Sequence, residues 1–161
     1  MSNQRRPRKR DNPRYVALRL LAVRPRTMGE LAKRLREKGF PELDVARVID
    51  ELREQELVDD VRFADMLIEH TTARKAVGRR FLQWKLQHAM LPPDRIDEAL
   101  AKFSLEREKE LAQHALHEKL AELKRRRPEA SPHDLQNRLA RFLLTRGFSP
   151  SLARTLLMDM P

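Results

Sequence analysis

The chain has 161 residues, of which 36% are charged, 40% apolar and only 5% aromatic, with a formal net charge of +10. That charge content, against about 25% in a typical soluble domain, and a total of four glycines exclude a glycine-turned sheet protein and point to thin-cored helical units. With no cysteine, disulfides, thiolate metal sites and cysteine nucleophiles are excluded, which fits a reducing compartment, and the cytoplasm is the default location.

Residues 1–14 carry Arg5, Arg6, Arg8, Lys9, Arg10 and Arg14 against Asp11 alone, hold two prolines and show no apolar period. They read as a disordered basic arm. Helical patterning starts near Tyr15, with Val16, Leu20 and Val23 at i, i+4 and i+7, and Pro25 closes it. The stretch Tyr15 to Val23 is too short and too charged to span a bilayer or to act as a secretory segment. Thr27 and Glu30 have capping-box spacing, and the helix they open carries Leu31 and Leu35 and stops at Gly39. Pro41 precedes a third stripe of Val45, Val48, Ile49 and Leu52. Either Asp59 or Asp60 can cap the next helix, which contains Phe63, Met66 and Leu67. Pro92-Pro93 breaks the chain again, and Ser131-Pro132 and Ser149-Pro150 each place a serine cap before a proline at the first helical position. The coarse reading is nine helices and no convincing strand.

The segments superpose on one another. Leu31, Leu35, Gly39, Phe40, Val45, Val48 and Ile49 fall in register with Leu82, Leu86, Met90, Leu91, Ile96, Ala99 and Leu100, and with Leu139, Leu143, Gly147, Phe148, Ala153, Leu156 and Leu157. A further helix precedes each copy, near 15–24, 60–73 and 105–124. The fold expected is therefore all-α, with three tandem three-helix repeats over 15–58, 59–103 and 104–161. Units this small bury too little surface alone, so they should pack end to end into an elongated array that can curve.

No constellation for catalysis, metal or cofactor binding emerges. His114 and His117 lie at i, i+3, but no further histidine is near in sequence, and they read as solvated surface groups. Glu106, Glu108 and Glu110 alternate, so they share no helix face and read as a charged helix start. Gly78 is isolated and no phosphate-cradling loop exists.

Binding is better supported. Residues 71–90 hold Arg74, Lys75, Arg79, Arg80 and Lys85 with no acid, whereas 30–70 is net acidic. In the repeat register Phe81 stands where the sister copies carry Glu30 and Arg138, and Trp84, the only tryptophan, where they carry Lys33 and Arg141. Aromatics beside arginines have the composition of an interface hot spot and can also stack on bases. The other reading is that Phe81 and Trp84 pack against a neighbouring repeat, and both stay open here.

Leu57-Val58-Asp59-Asp60-Val61-Arg62-Phe63-Ala64 resembles the signature that opens the second repeat of the RecX regulatory proteins. Leu31 to Phe40 is similar to that family's first repeat, and Arg141-Phe142-Leu143-Leu144 followed by Arg146-Gly147-Phe148 to its third. The resemblance covers about 15 to 160. It implies a tandem of three-helix repeats that binds the RecA recombinase, chiefly as the filament on single-stranded DNA. Such proteins lodge in the filament groove across more than one protomer and limit growth, ATP hydrolysis, strand exchange and co-protease activity. The partner-binding residues expected from the charge zones, the repeat register and this resemblance together are Arg74, Lys75, Arg79, Arg80, Phe81, Trp84, Lys85, Arg141 and Arg146, in a monomer that can also bind DNA weakly. Trp84 is not a hallmark of the family, and its place rests on the repeat register. The chain departs from the family's pattern in its second repeat, where Ala76 and Arg79 replace a usual glycine and proline and Phe81-Leu82 stands for the usual Arg-Ile. The competing reading is a helix-turn-helix transcriptional regulator built on Thr27 to Val58. Against it, Glu42 to Gln55 carries more acid than base, which phosphate would repel.

Overall fold

The computed structural model describes residues 12–160. Among these, nine helices and no strand are present: α1 (Pro13–Val23), α2 (Met28–Glu37), α3 (Glu42–Glu54), α4 (Asp60–Arg74), α5 (Arg79–His88), α6 (Pro93–Lys102), α7 (Leu105–Arg126), α8 (Pro132–Thr145) and α9 (Pro150–Met158). None of them is long and apolar enough to cross a membrane. The expected basic arm falls mostly outside the described residues, and its last residues belong to α1. Asn12 caps that helix by accepting from the Arg14 N–H, Pro13 takes the first helical position, and the Arg14 guanidinium donates to Gln55 Oε1 at 2.8 Å.

Helices α1–α3, α4–α6 and α7–α9 pack chiefly within their own triplets. Each triplet has its own core. The first gathers Leu31, Leu35, Val45, Val48 and Leu52; the second Leu82, Leu86, Ile96, Ala99 and Leu100; the third Leu139, Leu143, Ala153, Leu156 and Leu157. Apart from Leu52, which replaces the partly buried Ile49 in the first core, those are the slots that the internal register matches, so the apolar period has set which face of every helix turns inward. Fully buried leucines at such slots are worth about 2–5 kcal/mol each against alanine.

The helix starts are made as the sequence suggests. Asp59, Ser104, Ser131 and Ser149 each accept the backbone N–H three residues on. Thr27 does likewise for Glu30 at 3.0 Å. The Glu30 carboxylate does not close the expected capping box; it turns to the guanidinium groups of Arg24 and Arg26. Two cations at hand outcompete a single backbone amide for one carboxylate.

What joins the triplets is a device used twice. At the first joint the N-terminus of α2 meets the ends of α4 and α5. Thr27, fully buried, donates its hydroxyl to the Ala89 carbonyl at 2.5 Å, and the Met28 N–H donates to Asp60 Oδ1 at 2.9 Å. A Cβ on Gly29 would lie 2.4 Å from the Met90 carbonyl oxygen, so the two backbones approach too closely for any larger residue. At the second joint the N-terminus of α5 meets α7 and the end of α8. The Gly78 N–H donates to Arg146 O at 3.0 Å, the Arg80 N–H to Gly147 O at 3.1 Å and the Arg79 N–H to Glu108 Oε1 at 2.7 Å. In the repeat register Ala89 corresponds to Arg146 and Met90 to Gly147, so the receiving surfaces are equivalent. Both joints thus set orphan amides at a helix N-terminus against a first-turn carboxylate of the following triplet.

Those carboxylates, Asp60 and Glu108, are 3% and 5% exposed. Burial pushes the Asp60 carboxyl above its ordinary value, opposed by the Met28 N–H it accepts. Its second oxygen, Oδ2, has no hydrogen-bond partner among the described residues. An acid whose folded pKa is raised contributes stability that is present below the unfolded value and lost as pH rises through the folded one. The first joint should therefore tighten as pH falls from neutral towards the ordinary aspartate range. Thermal unfolding of the Asp60→Asn variant beside the parent, in neutral and in mildly acidic buffer, should show the parent gaining on the variant at the lower pH. A constant difference between the two would refute this.

Candidate partner interface

The nine residues singled out in the sequence divide into two groups. Arg79 and Phe81 are absorbed by the second joint. The Arg79 guanidinium donates to Leu100 O at 2.6 Å and to Phe103 O, lies 3.8 Å from Glu108 Oε2, and sits over the Phe103 ring at 5.8 Å. It satisfies carbonyls at the end of α6 that no helical amide can reach, so it is a structural cation and not the free surface charge expected of it. Phe81 is half-buried on the second core, and a Cβ on Gly147 would lie 2.4 Å from its nitrogen. The ring thus packs on the core of its own triplet, and it is the Phe81 backbone that meets the third triplet at Gly147.

Trp84 behaves differently. It is 50% exposed, stacked against His88 with ring centroids 4.6 Å apart and against Phe81 at 5.8 Å. It borders a groove of about 420 Å³ between the first and second triplets. The apolar side of the groove is Phe63, Leu67, Ala89 and Met90, and the cations Arg24, Lys33, Arg34 and Lys85 surround it. Lys85 reaches Thr71 Oγ1 at 3.3 Å.

A second groove, of about 560 Å³, separates the second and third triplets. Arg74, Lys75, His114, Lys119, Phe142 and Arg146 line it, together with Glu118 and Glu122. Arg146 stacks over the Phe142 ring at 4.8 Å and donates to Ala76 O at 3.3 Å, so it both frames the groove and ties the triplets. Lys75 lies over the Phe81 ring at 5.7 Å. A line of contacts His88–Trp84–Phe81–Lys75 thereby connects the two grooves. Arg74, Arg80 and Arg141 are exposed.

Six of the nine expected residues carry charge that no salt bridge engages among the described residues, a property they share with Arg19, Lys38, Arg62, Lys109, Lys124, Arg125, Arg127 and Arg154. Cations of the first triplet are largely matched: Arg34 with Glu37, Arg36 with Glu42, Arg47 with Asp44 and Arg53 with Asp50. Among the described residues no salt bridge engages Arg74, Lys75, Arg80, Lys85, Arg141 or Arg146, whereas Arg107 and Lys102 beside them hold Glu69 and Asp65. Charge left without an internal partner over a stretch with no acid is available to an external one.

Sequence reasoning missed Asp60 and Glu108, though a signal was present. Asp60 lies on the stripe of Ala64 and Ile68, and Glu108 on that of Ala112 and Ala115, all buried. A carboxylate on a buried stripe requires a donor from elsewhere in the fold. The groove residues Arg24, Lys33 and Arg34 were missed because they come from the neighbouring triplet, at a distance the repeat register does not encode.

Comparison with known proteins bears on this architecture directly. The family models for the first and third three-helix domains of RecX match residues 14–52 and 113–157. The regulatory protein RecX of Mycolicibacterium smegmatis is 33% identical over 151 residues, covering 91% of this chain and 79% of the relative. That of Chlorobaculum tepidum is 36% identical over 132 residues, covering 82% and 78%. Among solved structures, RecX from Lactobacillus salivarius superposes with a TM-score of 0.80 at 21% identity over 91% of this chain and 93% of that one. A second RecX structure gives 0.74 at 24% identity over 94% and 74%. At those identities the structures speak for the fold, and the closer sequences for the family. The chain belongs to the RecX family of regulatory proteins.

Proposed function

We propose that this chain is a non-enzymatic regulator that binds the RecA recombinase, chiefly as its filament on single-stranded DNA, and restrains filament growth, ATP hydrolysis, strand exchange and co-protease activity. It works as a cytoplasmic monomer whose three units, taken as 15–58, 59–103 and 104–161, meet more than one recombinase protomer. Family membership gives the class of partner. The observation that carries the reading for this chain is a run of cations that no salt bridge engages among the described residues: Lys85 on the groove of the half-exposed Trp84, Arg74, Lys75 and Arg146 on the second groove, and the exposed Arg80 and Arg141. Joints made of hydrogen-bonded backbone hold these groups at fixed spacing, which limits the ordering cost on binding.

Co-sedimentation with recombinase filaments on single-stranded DNA tests it. The protein should pellet with filaments, and salt should weaken the association because exposed charges are screened over about 8 Å at physiological ionic strength. Failure to co-sediment in low salt would end the proposal.

A sequence-specific duplex reader is the competing reading, and the structure offers it little. Its recognition helix would be α3, which carries Glu42, Asp44, Asp50, Glu51 and Glu54 against Arg47 and Arg53. Both arginines are held by the neighbouring Asp44 and Asp50. A gel shift that picks out one preferred duplex, with no association with filaments, would reverse the ranking.

A further inference from the structure

The groove between the first two triplets combines features that the cation count alone does not explain. One wall is apolar: Phe63 and Leu67 from α4, with Ala89 and Met90 at the end of α5. Trp84 stands on the same groove with half its surface in water, an unusual exposure for the largest apolar side chain in the protein. Around this apolar patch lie Arg24, Lys33, Arg34 and Lys85. The one carboxylate on the groove, Glu30, is already taken by Arg24 and Arg26, Lys33 and Arg34 share the single exposed Glu37, and Lys85 has no salt bridge among the described residues. The base of the groove is the first joint itself, since Ala89 accepts from Thr27 and Met90 packs on Gly29. An occupant would therefore meet a preformed surface.

We infer that this groove docks a short acidic peptide segment of a protein partner that carries one or two large apolar side chains. The apolar residues bury against Trp84, Phe63, Leu67 and Met90, and the flanking carboxylates meet Lys33, Arg34 and Lys85. The inference rests on the proposed function only in that this face meets a protein. The groove, about 420 Å³ in volume and open to solvent along one side, has room for one or two large side chains of a surface segment. Single-stranded nucleic acid would use the same cations but fits the apolar wall less well. Such strands are bound by open aromatic faces in succession, whereas here the indole already shares its surroundings with Phe81 and His88. Aliphatic Leu67 and Met90 give a base little to stack on. A bulky aromatic anchored among apolar groups and ringed by charge is the arrangement of a protein–protein hot spot.

Trp84 is the sole tryptophan, so its emission reports on the groove directly. The full chain is titrated with three probes: a blocked peptide of acidic residues around a Leu-Phe pair, an all-acidic peptide of equal charge, and oligo(dT). The Leu-Phe peptide should change the emission saturably, and the all-acidic peptide should bind about tenfold more weakly or worse for lack of its apolar anchor. Measured by anisotropy of the labelled Leu-Phe peptide, Trp84→Ala and Lys33→Glu should each weaken binding by about tenfold. Lys33 is exposed and outside the cores, so that variant keeps the test valid should Trp84→Ala unfold. Equal binding of the two peptides, or a change in emission with oligo(dT) alone, would overturn the inference. A chain that restrains recombinase filaments yet ignores the Leu-Phe peptide would overturn it too, and would leave the proposed function standing.

Discussion

Gly147→Ala should destabilise the protein by about 3 kcal/mol, while Gly39→Ala should cost only about 1 kcal/mol, although the two glycines share the same slot of the repeat and the same φ of +84°. The left-handed backbone penalises any Cβ by roughly 1–2 kcal/mol at both places. At Gly39 nothing lies within 4 Å of the added atom, so the cost ends there. At Gly147 the Cβ would sit 2.4 Å from the Phe81 nitrogen and 2.6 Å from its Cβ, and relief means parting α5 from α8. That also loosens the bonds from Gly78 to Arg146 and from Arg80 to Gly147. Denaturant unfolding of the two variants beside the parent reads the difference. Equal losses would mean that the joint between the second and third triplets is not as tight as described.

The neighbours Arg79 and Arg80 should part company when each is replaced by alanine. Arg79→Ala removes the charged donor from Leu100 O and Phe103 O and the cation that lies 3.8 Å from the buried Glu108 carboxylate. A loss of about 2 kcal/mol is expected, since Arg79 is partly exposed and water can repair some of the deficit. Arg80→Ala should change stability by less than about 0.5 kcal/mol. Its effect should appear in filament binding instead, where removing an external contact lowers affinity and flattens the salt dependence. Thermal melts and co-sedimentation on the same two variants separate the roles. Similar melts for both would contradict the structural assignment of Arg79.

Much of this was legible from residue order because apolar spacing and caps are local. Leu31, Leu82 and Leu139 are all fully buried or nearly so, and the matching of Gly39, Met90 and Gly147 extends to the backbone, where all three have positive φ. Even Met90, at φ 60° without glycine's freedom, keeps the turn, because the geometry is set by the helix end it closes. The joints were not legible. Nothing local says that Asp60 will cap Met28 across 32 residues, or that Arg79 will spend its guanidinium on the end of α6 while Arg80 stays in water. Composition made Arg79 and Arg80 look alike, and tertiary partners alone distinguish them. Phe81 and Trp84 both stand out within the register, yet they turn to different surroundings, one half-buried on the second core and the other half into solvent.

The most direct measurement is the single-stranded-DNA-dependent ATPase of the recombinase, titrated with the parent chain and with the triple variant Lys75→Glu, Arg80→Glu, Lys85→Glu. The parent should suppress hydrolysis at stoichiometric concentrations. The triple variant, folded by circular dichroism, should need about a hundredfold more protein, as expected for reversing several contacts worth about 1 kcal/mol each. An ATPase that the parent leaves unchanged, or that both proteins suppress equally, would contradict it.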